Sequence, residues 1–162
     1  MDSGAAAGLR VDGIHQASNV IFLGPRRVGK THLTVALAEA AIRAGLEAYC
    51  ITAHDLATDL GRAYREGRLV RRMRTYLAPK VLVIDKVGYL PLDDLGTTIF
   101  FQLVSARYER SSIILTSNKS FGDWGSIFGD PSSRPQSWIG CCTTRRPLTS
   151  VGRLINTVRF AN

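Results

Sequence analysis

The sequence predicts an α/β domain that binds a phosphate chain, and three observations lead to this. Residues 24–31 read Gly-Pro-Arg-Arg-Val-Gly-Lys-Thr, which fits G-x-x-x-x-G-K-[ST], the P-loop pattern. The apolar residues 19–23 precede this loop as a strand, and residues 31–44 follow it with the apolar spacing of a helix. Further apolar runs alternate with helical segments, which is typical of a parallel sheet covered by helices. The alternative, a chance match in a glycine-bearing turn, is disfavoured by the flanking strand and helix.

The loop residues suit a nucleotide with its metal ion. Backbone N–H groups between Gly24 and Gly29 can surround phosphates at the N-terminus of the following helix. Lys30 brings a charge to the β- and γ-phosphates, and the Thr31 hydroxyl can bind Mg²⁺. ATP and Mg²⁺ are therefore the predicted cofactors. The predicted nucleotide-binding residues are Gly24, Pro25, Arg26, Arg27, Val28, Gly29, Lys30, Thr31 and His32.

Composition limits the class of protein. A chain of 162 residues has room for one α/β domain, and its 45% hydrophobic and 21% charged residues are those of a globular protein. The net charge of +8 suits nucleic acid or simply solubility. Cys50 and the adjacent Cys141 and Cys142 make no secreted disulfide pattern. With no membrane span or signal peptide in the sequence, the predicted location is cytoplasmic.

The rest of the chain divides into a lead-in, further strands and helices, and a tail. Residues 1–18 are predicted to be flexible, and 19–130 to form the ATP-binding domain. Strands are expected at 47–52, 80–85 and 112–118. Helices are expected from an Asp55 cap to about residue 65, from 68 to 77 after Gly67, and from a cap at Asp93 or Asp94 to about residue 109.

Arginines are concentrated in the two middle helices. Their spacing of three and four residues places most of them on one face, where they either contact DNA phosphates or form an ordinary solvated surface. Arg65, Arg71 and Arg72 are the candidates for DNA contact. The arginines of this segment are Arg62, Arg65, Arg68, Arg71, Arg72 and Arg74.

Two polar residues that follow apolar strands are candidates for catalysis. Asp85 ends the run Val-Leu-Val-Ile and fits a Walker B carboxylate, which would join the Mg²⁺ shell. Asn118 ends the next strand and is either an amide that holds the attacking water or γ-phosphate, or a turn residue that satisfies local backbone. After Asp85, related ATPases usually have a glutamate that activates water, whereas this chain has Lys86.

Residues 19–130 closely resemble the IstB-like ATP-binding proteins, which help insertion sequences transpose and are related to the DnaC helicase loaders of the AAA+ class. The resemblance rests on Val-Gly-Lys-Thr-His-Leu at 28–33 and Arg-Glu-Gly-Arg-Leu at 65–69. More specific are Gly-Tyr-Leu-Pro-Leu at 88–92 and Thr-Ser-Asn-Lys-Ser-Phe-Gly-Asp-Trp-Gly at 116–125. It implies a parallel sheet of order 5-1-4-3-2, ATP-dependent homo-oligomers on non-specific DNA, and a transposase partner. It also implies that Thr31 and Asp85 serve Mg²⁺ and that Asn118 is a sensor.

Four departures from the family pattern bear on activity. Arg26-Arg27 replaces Pro-Gly, so an arginine occupies a position that suits glycine. Lys86 replaces the glutamate, and the N-terminal helical domain of the family is expected to be absent. The resemblance ends after Pro131, before the family's Leu-Asp-Arg segment and fifth strand. The resemblance thus implies an ATPase, while these departures predict impaired hydrolysis.

The tail, residues 131–162, holds five arginines and no acidic residue. Codons can be chosen for it that encode a Leu-Asp-Arg segment one base earlier, so a one-base frameshift near Pro131 is the favoured hypothesis, with genuine divergence as the alternative. With strand five missing, strand one is expected to be an exposed edge and the tail loosely packed. The predicted function is an IstB-like transposition helper. The alternatives are a non-functional remnant of a decayed insertion sequence and a relative of the helicase loaders.

Overall fold

Strands and helices alternate along the protein, which we describe from a computed structural model. The structure describes residues 19–108, 110–119 and 123, and the backbone of 157–161. The strands are β1 (Asn19–Leu23), β2 (Ala48–Thr52), β3 (Val81–Val87), β4 (Ser112–Ser117) and β5 (Thr157–Ala161). The helices are α1 (Lys30–Arg43), α2 (Ala53–Arg65), α3 (Leu69–Leu77) and α4 (Asp94–Arg107). The predictions for residues 1–18 and 131–156 lie outside the described residues.

The five strands form one sheet in the order β2-β3-β4-β1-β5. β1 pairs with β4, β4 with β3 and β3 with β2, all in parallel, so the α/β class and the order of these four strands are confirmed. Parallel neighbours end at the same edge of a sheet, and the polar residues that follow their apolar runs are gathered there. No helix in the described part of the chain is long and apolar enough to cross a membrane.

The far side of β1 is not an exposed edge, and that prediction is wrong. β5 pairs with β1 in antiparallel fashion, from Asn19 opposite Ala161 to Leu23 opposite Thr157. The place expected for a parallel fifth strand is therefore taken by the run Thr-Val-Arg-Phe-Ala, which is rich in strand-forming residues. The prediction was wrong because it assumed that only the family's parallel strand could cover β1. The unpaired N–H and C=O groups of an edge strand can pair with a strand of either direction.

The sheet is buried on both faces. Val20, Phe22 and Val83 point to α1, where they pack with Leu37 and Ala41. The alternate residues of the same strands point to the other face and pack against α2, α3 and α4. This second core includes Ile21, Leu23, Leu82, Ile84, Ile113, Leu115, Leu56, Leu60, Tyr76, Ile99 and Leu103. Burial on both faces explains why the strands are continuous apolar runs rather than alternating ones.

The helices α2 and α4 begin at side-chain caps, and the predicted cap is correct for α4 but wrong for α2. α4 begins at the predicted cap, since Asp93 accepts a hydrogen bond from the Gly96 amide at 2.7 Å. α2 is capped by Thr52 and not by Asp55: the Thr52 hydroxyl accepts from the Asp55 amide at 3.1 Å and donates to its carboxylate at 2.7 Å. Thr52 is the last residue of β2, and a residue in extended conformation is what an N-cap requires. Gly67 ends α2 in a left-handed conformation, with φ +67°.

Candidate nucleotide-binding site

The P-loop connects β1 to α1 and holds its lysine against the loop itself. Lys30 is 5% exposed, and its ammonium donates to the carbonyl oxygens of Gly24 at 2.7 Å and Pro25 at 2.5 Å. Burial lowers the pKa of Lys30, and the charge of Asp85 opposes that shift. Gly24 also donates its amide to the Ser117 carbonyl at 3.2 Å, so the start of the loop is fixed to the end of β4.

The first turn of α1 offers backbone donors. Its N-cap is Gly29, at φ +88°, and no side chain caps the helix. No acidic residue lies in the first turn. A helix N-terminus has N–H groups without partners within the helix and carries partial positive charge. Here those groups lie beside the buried ammonium of Lys30, which is an arrangement suited to a phosphate chain.

The two arginines of the loop have different environments. Arg27 has φ +64°, so the position that the sequence marked as suited to glycine is indeed left-handed. A non-glycine residue in that region costs about 1–2 kcal/mol. Arg26 stacks over the ring of Tyr89, with 5.1 Å from the guanidinium carbon to the ring centroid. The Arg26 side chain thus joins the P-loop to the turn after β3.

A pair of oxygen donors fits a magnesium ion. The Thr31 hydroxyl lies 3.5 Å and 3.4 Å from the two carboxylate oxygens of Asp85, which is longer than a good hydrogen bond between oxygens. A hydroxyl and a carboxylate are hard donors, and Mg²⁺ typically takes one or two protein ligands together with phosphates and water. These two residues, predicted separately as metal ligands, are brought together by α1 and β3. Mg²⁺ held there would neutralise phosphate charge.

Asp85 sits at an irregularity of the sheet. Ile84 lies opposite Leu115 and Val87 opposite Ser117, so Asp85 and Lys86 both face the single residue Thr116. Thr116 is 1% exposed. Its hydroxyl donates to the Asp85 carboxylate and accepts from the Lys86 amide at 2.9 Å. Lys86 itself has φ +61° and is exposed.

The remaining predicted site residues are placed less directly. Asn118 follows β4 next to Ser117, and its side-chain oxygen is buried with no partner among the described residues. A buried, unpaired amide oxygen at this edge is available to a ligand or water. His32 is exposed in the first turn of α1. Thr116 was missed, although one signal marks it: it is the polar residue directly after the apolar run of β4, as Asp85 is in β3.

The arginine-rich helices form a second polar feature. Arg72 donates to the Asp59 carboxylate at 2.6 Å, and Arg62 lies 3.4 Å from the other oxygen of that carboxylate. Burial would raise the pKa of Asp59, but hydrogen bonds from Arg72 and Tyr76 outweigh it and lower the pKa. A groove of about 550 Å³ lies between the helices. Its lining is Asp59, Arg62, Ala63, Glu66, Arg68, Arg71, Arg72 and Thr75.

Fold and site together define a P-loop nucleotide-binding domain of the AAA+ type. Solved structures with this fold include the DnaC helicase loader, with a TM-score of 0.67 and 28% identity, covering 80% of this chain and 82% of that one. A replication initiator DnaA bound to AMPPCP and single-stranded DNA has a TM-score of 0.63, covering 78% of this chain and 44% of that one. At 20% identity, the second likeness shows the fold alone.

The chain belongs to the family of IstB-like ATP binding proteins, whose sequence profile matches residues 6–134. It is 50% identical over 117 residues to the ATP-binding protein of insertion sequence IS5376 from Geobacillus stearothermophilus, covering 72% of this chain and 47% of that one. It is 44% identical to the corresponding protein of IS21 from Pseudomonas aeruginosa, with 72% and 44% covered. The chain thus spans about half the length of these relatives. The family resemblance noted in the sequence is confirmed.

Proposed function

We propose that this chain binds ATP with Mg²⁺ as a helper protein of insertion-sequence transposition, and that it hydrolyses ATP poorly. The observation that carries the nucleotide site is the meeting of three groups. The Lys30 ammonium lies at the uncapped start of α1, and Thr31 and Asp85 face each other within 3.5 Å. Membership of a family named for ATP binding supports the ligand, and the insertion-sequence relatives support the setting.

Poor hydrolysis is proposed because the chain lacks a suitable base beside Asp85. Lys86 occupies the position where the family places a glutamate, and its side chain is exposed. A glutamate carboxylate can accept a proton from the attacking water, whereas an ammonium is a hydrogen-bond donor without an acceptor. Asp85 is already engaged by the Thr116 hydroxyl. We therefore expect this protein to bind ATP without hydrolysing it at an appreciable rate.

We expect the purified chain to bind ATP in titration calorimetry and to release phosphate at a rate near the uncatalysed background, with or without DNA. AMP should bind much more weakly than ATP, because the P-loop contacts phosphates rather than the base. Absence of ATP binding would contradict the nucleotide-binding proposal. Rapid Mg²⁺-dependent phosphate release that Asp85→Ala abolishes would contradict only the proposal of impaired hydrolysis.

The variant Lys86→Glu separates the two causes of low turnover. It places a carboxylate after Asp85, but it does not supply the arginine of the family's Leu-Asp-Arg segment, which the encoded tail lacks. We expect little recovery of turnover from Lys86→Glu alone. Recovery to a clearly Mg²⁺-dependent rate would show that Lys86 is the sole obstacle.

DNA binding is a second proposed activity, supported by the arginines of α2 and α3. Among the described residues, Arg65, Arg71 and Arg74 form no ion pair, whereas Arg72 is paired with Asp59. Free guanidinium groups bind phosphates without reading sequence. We therefore propose Arg65 and Arg71 as direct phosphate contacts. Arg72, the third candidate from the sequence, is proposed to act while paired with Asp59 in the groove between the helices.

Replacing Arg65 and Arg71 together by Ala should reduce the slope of log affinity against log salt concentration by roughly two, since each phosphate contact contributes about 0.9. Affinities for unrelated duplexes should fall alike. Fluorescence anisotropy over a salt series measures both effects. Arg43→Ala is the matched control, because Arg43 is an exposed arginine at the end of α1, on the other face of the sheet. An unchanged slope in the double variant would assign these arginines to a solvated surface.

The transposase of the same insertion sequence is the proposed partner, with ATP-dependent self-association on DNA. The stronger likeness to insertion-sequence relatives than to the DnaC loader, 50% against 28% identity, favours this over a helicase-loading role. A remnant of a decayed insertion sequence remains the alternative, and the proposed frameshift near Pro131 favours it. Sequencing the gene downstream of the Asp130 codon, and finding whether the earlier frame encodes Leu-Asp-Arg, tests that point.

A further inference from the structure

The structure assigns a positioning role to Thr116: its buried hydroxyl orients the Asp85 carboxylate for Mg²⁺, a role that presupposes the proposed binding of ATP with Mg²⁺. The residue stands in β4, outside the P-loop and outside the predicted metal ligands. Its hydroxyl bonds to the Asp85 carboxylate and the Lys86 amide, and it is assigned to act on the metal through Asp85, as a positioning residue and not as a catalytic one.

The sheet irregularity makes such a support necessary. In a regular parallel pair, Asp85 would lie opposite Thr116 and Lys86 opposite Ser117, but the observed register places both Asp85 and Lys86 opposite Thr116. An extra residue in one strand bends it and redirects its side chains, and such bulges are frequent beside active sites. Here it also places Lys86 in a left-handed conformation, at φ +61°, which is unfavourable for a lysine.

The hydroxyls of β4 hold this bulge at two points. Thr116 donates to one Asp85 oxygen and accepts from the Lys86 amide at 2.9 Å, so a single side chain fixes both residues. Next to it, the Ser117 hydroxyl donates to the Val87 carbonyl at 2.7 Å. Both hydroxyls are buried, Thr116 at 1% and Ser117 at 0% exposed, so water does not replace these contacts easily.

The hydrogen bond from Thr116 engages one of the two oxygens of the Asp85 carboxylate. Thr116 donates to Oδ1, and the Thr31 hydroxyl lies 3.5 Å from Oδ1 and 3.4 Å from Oδ2, so Oδ2 is the oxygen that Thr116 leaves unoccupied. A hydrogen bond to one oxygen restricts the rotation of the carboxylate and leaves Oδ2 available to a metal ion held between Asp85 and Thr31. Hydrogen bonds of this kind to metal-binding groups commonly contribute 10- to 100-fold to metal affinity.

The test is Thr116→Val, which keeps the branched shape and removes the hydroxyl. ATP affinity is measured by calorimetry in Mg²⁺ and in EDTA, and Mg²⁺ affinity by titrating the ion into the ATP-loaded protein. We expect Mg²⁺ affinity to fall roughly 10-fold or more. ATP affinity in EDTA should stay within about twofold of the wild type, because the P-loop contacts are unaltered. Thr116→Ser, which retains the hydroxyl, should restore most of the Mg²⁺ affinity.

Thr97→Val is the matched control, because Thr97 is also buried and its hydroxyl has no partner among the described residues. It should leave both affinities unchanged. If Thr116→Val keeps the wild-type affinity for Mg²⁺, or loses ATP affinity equally in Mg²⁺ and EDTA, the positioning role is wrong. If the wild type itself does not bind ATP, the proposed function fails instead, so the two failures are distinguishable.

Discussion

Replacing Lys30 by Ala is expected to weaken ATP binding by roughly 10- to 150-fold, which is the effect of losing about 1.5–3 kcal/mol from charge-assisted hydrogen bonds. In the described structure the ammonium is buried and donates to two carbonyls of its own loop. A phosphate chain offers that ammonium stronger, charged acceptors at the uncapped start of α1. Titration calorimetry with ATP measures the loss.

The control for this variant is Lys80→Ala, which removes an exposed lysine just before β3. It should bind ATP like the wild type. Thermal melting of each variant without nucleotide shows whether the loss of the Gly24 and Pro25 contacts disturbs the fold. If Lys30→Ala is folded and binds ATP as tightly as the wild type, the P-loop is not the nucleotide site.

Replacing Arg107 by Leu is expected to lower the free energy of unfolding by about 3–5 kcal/mol. Arg107 is fully buried, and its guanidinium donates to the carbonyls of Tyr76 at 2.6 Å, Pro79 at 2.9 Å and Ser112 at 2.9 Å. Burial lowers the pKa of Arg107 to about 10, so it is still charged at neutral pH. Leu would leave three carbonyls at the junction of α3, α4 and β4 without this donor. Such a loss is large against a typical total of 5–15 kcal/mol.

Urea denaturation measures this effect, and two further variants interpret it. Arg107→Lys keeps the charge but cannot reach three carbonyls with the geometry of a guanidinium, so its stability should be intermediate. Arg110→Leu, at an exposed arginine in the turn after α4, should change the free energy of unfolding by less than about 0.5 kcal/mol. An Arg107→Leu variant within about 1 kcal/mol of the wild type would show that water or neighbouring groups satisfy these carbonyls.

The parallel part of the fold could be predicted because its signals are local. Apolar runs end in polar residues at Asp85 and after Leu115, the P-loop identifies β1 and α1, and glycine at 67 ends α2. The pairing of Thr31 with Asp85 follows from these, because parallel strands bring their ends to one edge. The capping of α2 was assigned to the wrong residue, since a strand-terminal threonine and an acidic residue three positions later are both good cap candidates.

What the sequence did not predict depends on contacts between distant segments. The spacing of arginines describes one helix face, but Arg72 pairs across two helices with Asp59. Arg107 lies at the end of α4, where arginine is normally solvated, and nothing local in the sequence indicates that it is buried. The contacts of the Thr116 hydroxyl with Asp85 and Lys86 depend on the register of β3 against β4, which the sequence does not give. β5 was missed because an antiparallel partner for β1 was not considered.

The antiparallel pairing of β5 with β1 also affects the order of events during synthesis. β1 is the first described strand to leave the ribosome, yet both of its neighbours, β4 and β5, are made after the other described strands. Pairings between segments so far apart in sequence are slow to form, because a long loop must close first. The strand that carries the P-loop therefore has no native neighbour until β4 has been made, and the nucleotide site is assembled among the last parts of the described fold.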